Sequence, residues 1–396
     1  MINILVECPE LIASVKVGVL KPLEPFIEKY KCNVIYKRTI DIKTKDICNC
    51  DIFITVRGCE FMTLQIVKIA KKLNKTIIYY LDDDLLNVPI GPWCPEEYYN
   101  QVVRKNLITV MSYCNILWGV NNLICEKYLK YTKDKIWISN RTPMSIEPSI
   151  EDNEQKLHIL YAGSESHSKV LQENLSKVIE AVAIKYSETV DFTFIGANSG
   201  INNLNNVKNI PTIKNYDKYK EYVRNNNFSI GIAVIKDEPF FHCKYYNKFL
   251  EYTSINCVGI YTNCKPYTYV VKNNENGILC NNTYDEWYKS IEMLIINKRL
   301  RDKCLKNAKE YVNEYHNNIS TEIHLEQQLK PYLKKSENKK TLKFLPSLKL
   351  IYIYSRIDMI YKEFGIFKGS IQIIKKILRK IKKILRKIKK IGEKDV

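Results

Sequence analysis

The chain of 396 residues is long enough for two domains that each bury a core, and its 45% hydrophobic content supports a globular body. Its thirteen cysteines form no C-x-x-C pair (Cys48-x-Cys50 comes nearest), and five histidines show no cluster, so neither a disulfide scaffold nor a zinc spacing is expected. The formal charge of +19 is uneven: residues 375–396 hold eleven Lys/Arg against Glu393 and Asp395, a net of about +9, which leaves the body only moderately basic. No uncharged apolar run is long enough to span a bilayer, and MINILVECPE lacks the charged start and apolar stretch of a secretory signal.

Residues 2–6, 33–36, 51–56, 76–81, 116–120 and 136–139 read as apolar strands. The pattern Leu64, Val67, Ala70 and Leu73 marks a helix over 61–73 between two of them. Alternation of strand and helix predicts a parallel sheet covered on both sides. Asp82, Asp83 and Asp84 follow the strand at 76–81, at the carboxyl end where open α/β sheets place their ligands. Three adjacent carboxylates need neutralising partners or open water. The reading is either a charge cluster before Leu85-Leu86 or a site for acceptor contact or proton transfer, with metal chelation a further alternative. Arg57 ends the strand 51–56 in a similar position.

The polar stretch 145–156, with Pro148 and several acids, is expected to be a linker between residues 1–144 and a second unit, 157–316. Strands are expected at 158–162, 190–195 and 230–235, and helices at 168–186, 216–225, 284–297 and 301–315. His158, inside a strand, reads as packing. His167 lies in GSESHSK at the mouth of a helix. There Gly163 permits close backbone approach, Ser164 and free N–H groups suit phosphate, and Lys169 adds charge. A solvated loop is the alternative. His242 lies close to the diphosphate site expected next.

The segment 239–282 is read as a helix, a buried strand at 257–261, a short helix, then a turn in which Asn276-Gly277 supplies positive φ before Ile278-Leu279. Lys244, Lys248 and Glu251 have i, i+4, i+7 spacing, which on one helix places all three on one face. Two cations and a carboxylate there suit a nucleotide diphosphate sugar, with the lysines on phosphate and Glu251 on a ribose diol. An intrahelical ion pair on a solvated face is the plain alternative.

The order Pro239, Lys244, Lys248, Glu251-Tyr252, strand 257–261, Val270-Val271 and Asn276-Gly277-Ile278-Leu279 resembles the donor-binding half of GT-B glycosyltransferases of the bacterial family-4-like group. The resemblance covers most of residues 50–330. It implies two doubly wound, Rossmann-like domains, a return helix within 317–340, and a nucleotide diphosphate sugar as co-substrate with no cofactor and no bound metal. It also implies a glycan or lipid-linked acceptor, with Asp82, Asp83 and His167 nearest the chemistry. Gly163, Ser164, Lys169, Lys244, Lys248 and Glu251 would hold the donor. The family places a second carboxylate eight positions before Glu251, where this chain has Cys243. That departure keeps open a catalytically degenerate scaffold tethered to a membrane.

Residues 341–396 differ in character. The heptad KKILRKI occurs at 375–381 and again at 382–388, and Ile377, Leu378, Ile381, Ile384, Leu385, Ile388 and Ile391 form one apolar stripe between basic residues. A helix over 371–391 lying on an anionic membrane surface is expected, at the cytoplasmic face. Nucleic acid is not an expected partner, because the tail lacks aromatic residues for base stacking.

Overall fold

Short runs of β-branched and aromatic residues, buried on both faces, build the two sheets of the chain. The computed structural model describes residues 1–89, 98, 100–148, 156–333, 357 and 370. Most of the linker 145–156 and almost all of the tail 341–396 lie outside these residues.

The first sheet has strands β1 (Ile2–Cys8), β2 (Cys32–Arg38), β3 (Ile52–Val56), β4 (Thr76–Leu81), β5 (Ile116–Gly119) and β6 (Ile136–Ser139). All are parallel, in the order β2-β1-β3-β4-β5-β6. The second has β7 (Leu157–Gly163), β8 (Val190–Gly196), β9 (Val207–Ile210), β10 (Ile230–Ala233), β11 (Val258–Thr262) and β12 (Ile278–Cys280), again parallel, in the order β12-β11-β10-β7-β8-β9. Each order reverses once, between β1 and β3 and between β7 and β10. At such switch points crevices open outside the carboxyl ends of the strands.

Two elements depart from the sequence reading. The Asn-rich stretch near 200–210 contains β9, an edge strand whose polar, partly exposed residues hide the strand pattern. Asn276 and Gly277 do not supply the positive φ of the last turn, which falls on Asn274 at 61°. Instead Asn276 is buried, accepts from Lys272 N at 2.7 Å and donates to Val270 O at 2.9 Å, stapling the turn internally.

The two sheets are tied together by side chains. The helix Asn318–Leu329 returns to the first sheet, where Gln328 Oε1 accepts from Ser139 N at 2.9 Å and Lys29 donates to Glu326 at 2.8 Å. Asn121, at the end of β5, accepts from Ile124 N to cap the helix Asn122–Tyr128, and its Nδ2 donates to Cys243 O and Lys244 O at 3.0 Å each. Among the described residues no helix is long and apolar enough to cross a membrane.

Helix Asn247–Ser254 sits on β10 through Tyr252, a fully buried side chain whose hydroxyl donates to Ile232 O at 2.7 Å. A methyl group at Gly231 would lie 2.4 Å from that ring. The ring is held at both ends and cannot retreat. Gly231→Ala should therefore destabilise the protein by about 1–3 kcal/mol through overpacking. Denaturant unfolding measures this, and an unchanged midpoint would refute the packing argument.

Candidate active site

The site grows from the turns that follow β3, β4, β7 and β10. Arg57 leaves β3 with φ of 54°, a left-handed conformation uncommon for a side chain of this size. Its N–H donates to Tyr80 O at 3.0 Å, which turns the side chain toward the end of β4. The turn is braced from below by Glu7, a fully buried carboxylate that accepts from the hydroxyls of Thr39, Thr55 and Thr63. Burial pushes the Glu7 carboxyl up, against the pull of these three donors.

The three aspartates divide. Arg57 Nε donates to Asp82, and Nη2 donates to Asp83 at 2.8 Å. Asp83 also accepts from Lys244 Nζ at 2.9 Å, across the gap between the sheets. Burial alone would raise the Asp83 carboxyl, but the facing Lys244 and Arg57 charges outweigh it and hold the group below its usual value. For Arg57, burial opposes the charge while Asp82 and Asp83 more than restore it. Asp84 turns inward, accepting from Lys127 and from the Tyr128 hydroxyl at 2.6 Å. Its side chain is 0% exposed against 18% for Asp83, so only Asp82 and Asp83 can meet a ligand.

Lys244 is not on the helix that carries Lys248 and Glu251, contrary to the single-face reading. The segment is a one-turn helix, Pro239–His242, a break over 243–246, and the helix Asn247–Ser254. The break has a cause in packing: Asn121 takes the carbonyls of Cys243 and Lys244, and Thr142 N donates to Tyr245 Oη at 3.4 Å. Lys244 is thereby delivered to Asp83 instead of running along the helix. Lys248 and Glu251 do share one face, three residues apart and ion-paired, and the second Glu251 oxygen accepts from the Tyr219 hydroxyl. Burial, then the Glu251 charge, pushes the Tyr219 phenol up, so it remains a donor.

His167 begins the helix Ser168–Lys185, whose amino end has no side-chain cap. A methyl group at Gly163 would come within 3.2 Å of His167 Nδ1, so the glycine lets the imidazole lie against the end of β7. Burial first, then the nearby Lys244 and Lys248, lower its pKa to about 4, with Asp83 opposing. These neighbours place His167, Lys244, Lys248 and Asp83 in one electrostatic neighbourhood. Ser164 is exposed and bonds Ser166 at 2.6 Å, while Lys169 lies 3.6 Å from Glu173 on an exposed helix face. Both sit at the rim. Cys243 is buried with Sγ 4.0 Å from Asp84, so a carboxylate at this position would face a like charge. Burial, then Asp84, pushes the thiol up to about 12.

The His167 shift has a sign that can be tested. The unfolded imidazole, at 6.5, takes up a proton before the folded one, at about 4. Stability is therefore full above pH 6.5 and falls as the pH drops through that window. Between pH 7 and pH 5 the loss assigned to His167 is on the order of 2 kcal/mol, and His167→Gln should remove that part. His316, also lowered to about 4, keeps a similar fall of its own in the variant. Urea melts at the two pH values decide it, and an identical fall in the variant would contradict the placement.

No family model matches the chain, and no curated protein matches it in sequence. Solved structures do match. Anabaena HepE in complex with UDP and glucose aligns with a TM-score of 0.59 at 10% identity, covering 84% of this chain and 100% of that one. The sucrose-phosphate synthase of Thermosynechococcus elongatus also gives 0.59 at 10% identity, over 84% of this chain and 99% of that one. The chain has the GT-B fold. A Listeria monocytogenes protein described as a putative UDP-N-acetylglucosamine 2-epimerase aligns as well, at 0.51 and 10% identity over 86% of this chain and 100% of that one. The GT-B likeness thus establishes architecture, and the chemistry has to be argued from the residues.

Proposed function

We propose that this protein is a glycosyltransferase that moves a sugar from a nucleotide diphosphate sugar to a hydroxyl of a glycan or lipid-linked acceptor. The observation that carries the reading is the gathering of His167, Lys244, Lys248 and Asp83 at the carboxyl ends of two facing sheets. Negative charge develops on the departing diphosphate, and fixed cations in a partly dry cleft stabilise it. Lys248 supplies such a charge, and the helical turn Glu165–His167 that leads into helix Ser168–Lys185, itself without a side-chain cap, offers backbone N–H groups beside Ser164, with Gly163 giving the backbone room to approach. Lys244 joins them by exchanging Asp83 for phosphate. Glu251 accepts from the ribose diol while Tyr219 holds its other oxygen. Neutral His167 donates one hydrogen bond to the sugar or phosphate, and Asp83, once released, faces the acceptor hydroxyl. Lys169 screens the entrance.

Within this reading transfer needs no catalytic metal or cofactor, because side-chain cations occupy the ion's place. The acceptor belongs to cell-surface polysaccharide or glycoconjugate synthesis. The basic tail keeps the enzyme at the cytoplasmic membrane face.

A thermal-shift series with UDP-, GDP- and ADP-linked sugars tests the donor. A ligand at one hundred times its dissociation constant stabilises by about 2.7 kcal/mol. A selective rise with at least one donor is expected, and no rise with any would favour the degenerate scaffold.

A further inference from the structure

We propose that Asp237, His242 and Cys264 form a binding site for a zinc-like transition-metal ion, separate from the groups assigned to the donor. The three ligand atoms come from two segments, Asp237 and His242 after β10 and Cys264 after β11, yet all lie within 4.8 Å of one another. Among the described residues this is the one group of His, Cys, Asp and Glu side chains gathered closely enough to hold an ion.

The donor set chooses the ion. A thiolate and an imidazole favour zinc and its neighbours over magnesium or calcium, which prefer oxygen. Together with one carboxylate they balance a divalent charge. His242 Nε2 and Asp237 Oδ1 are 2.6 Å apart, joined by a hydrogen bond. An ion replacing the proton of that bond needs them slightly farther apart, and the Asp237 side chain, 69% exposed, is free to swing. The other two ligands are held. Cys264 is buried at the end of β11, and buried Phe240 and Phe241 anchor the turn that aims His242.

Three protein ligands leave a fourth tetrahedral position on the solvent side. The ion would fasten the turn after β10 to the turn after β11. Lys244 is two residues beyond His242, so metal binding would steady the segment that delivers it. The linear sequence hides this set, since the His-Cys separation fits no zinc spacing.

Cobalt(II) titration of the full chain tests the site. One equivalent should give sulfur-to-cobalt charge-transfer absorption with the visible bands of a tetrahedral ion. Zinc should bleach both and excess magnesium should not. Cys264→Ser should abolish the charge-transfer absorption, and His242→Gln, a change at a partly exposed position, should weaken cobalt binding at least tenfold. Absence of charge-transfer absorption in the wild type would overturn the proposal. So would its persistence in Cys264→Ser, which would place the ion on another cysteine. If Cys264→Ser does not fold, His242→Gln decides alone: unchanged cobalt affinity would overturn the site.

Discussion

Replacing Arg57 by alanine should cost about 3 kcal/mol of stability and remove most transfer, the largest single effect expected in the first domain. The guanidinium bridges Asp82 and Asp83, with side chains only 20%, 15% and 18% exposed. Removing one partner of a buried ion pair leaves the other charge desolvated, which typically costs 3–5 kcal/mol, and the residual exposure here argues for the lower end. Lys244 still serves Asp83, so the damage falls chiefly on Asp82. Adding Asp82→Asn should therefore recover part of the stability but none of the activity. Arg57→Lys should behave more like alanine than its charge suggests, since one ammonium cannot reproduce the two-pronged contact. Urea unfolding with transfer assays on the three variants checks this, and wild-type stability of Arg57→Ala would remove the basis for the pair.

Lys248→Ala and Glu251→Ala should each leave the fold intact and weaken the donor complex by about 1.5–3 kcal/mol, roughly 10- to 150-fold in affinity. In Lys248→Ala, Glu251 retains the Tyr219 hydroxyl as partner, so no buried carboxylate is stranded. In Glu251→Ala, Lys248 still lies 5.7 Å from the centre of the Tyr252 ring and can keep a cation–π contact. The helix itself is anchored by Phe249, Leu250 and Tyr252, all fully buried, so neither change reaches the core. Loss of turnover with wild-type melting is the expected pattern. Near-normal turnover of both variants at limiting donor would sink their assignment.

Which of these features are legible in the sequence follows from how local their causes are. The buried strands of both sheets announce themselves as apolar runs, because a parallel strand covered on both faces has almost no polar residues. Strand β9 does not, since an edge strand such as Val207–Ile210 carries solvated side chains. The Lys248–Glu251 pair is visible because helical spacing alone brings the two together. Lys244 is misplaced by the same rule: the helix breaks at 243–246 because of Asn121 and Thr142, more than one hundred positions away in the chain.

The aspartate triplet teaches a similar lesson. Position after β4 identifies all three as candidates, but their division depends on Arg57 from one neighbouring turn and on Lys127 and Tyr128 from the helix Asn122–Tyr128. Non-local pairing of this kind has no sequence signature. A left-handed Arg57, packed above the buried Glu7–threonine network, is equally invisible until the turn is seen.

Calorimetric titration of the wild-type protein and Lys248→Ala with UDP, GDP and ADP tests the central claim most directly, because it isolates diphosphate recognition from acceptor binding. Wild-type protein should bind one of the three nucleotides in preference to the others, and Lys248→Ala should bind that nucleotide at least tenfold more weakly. Absence of binding to all three, or equal affinity in the variant, would contradict the assignment of this cleft to a nucleotide diphosphate sugar.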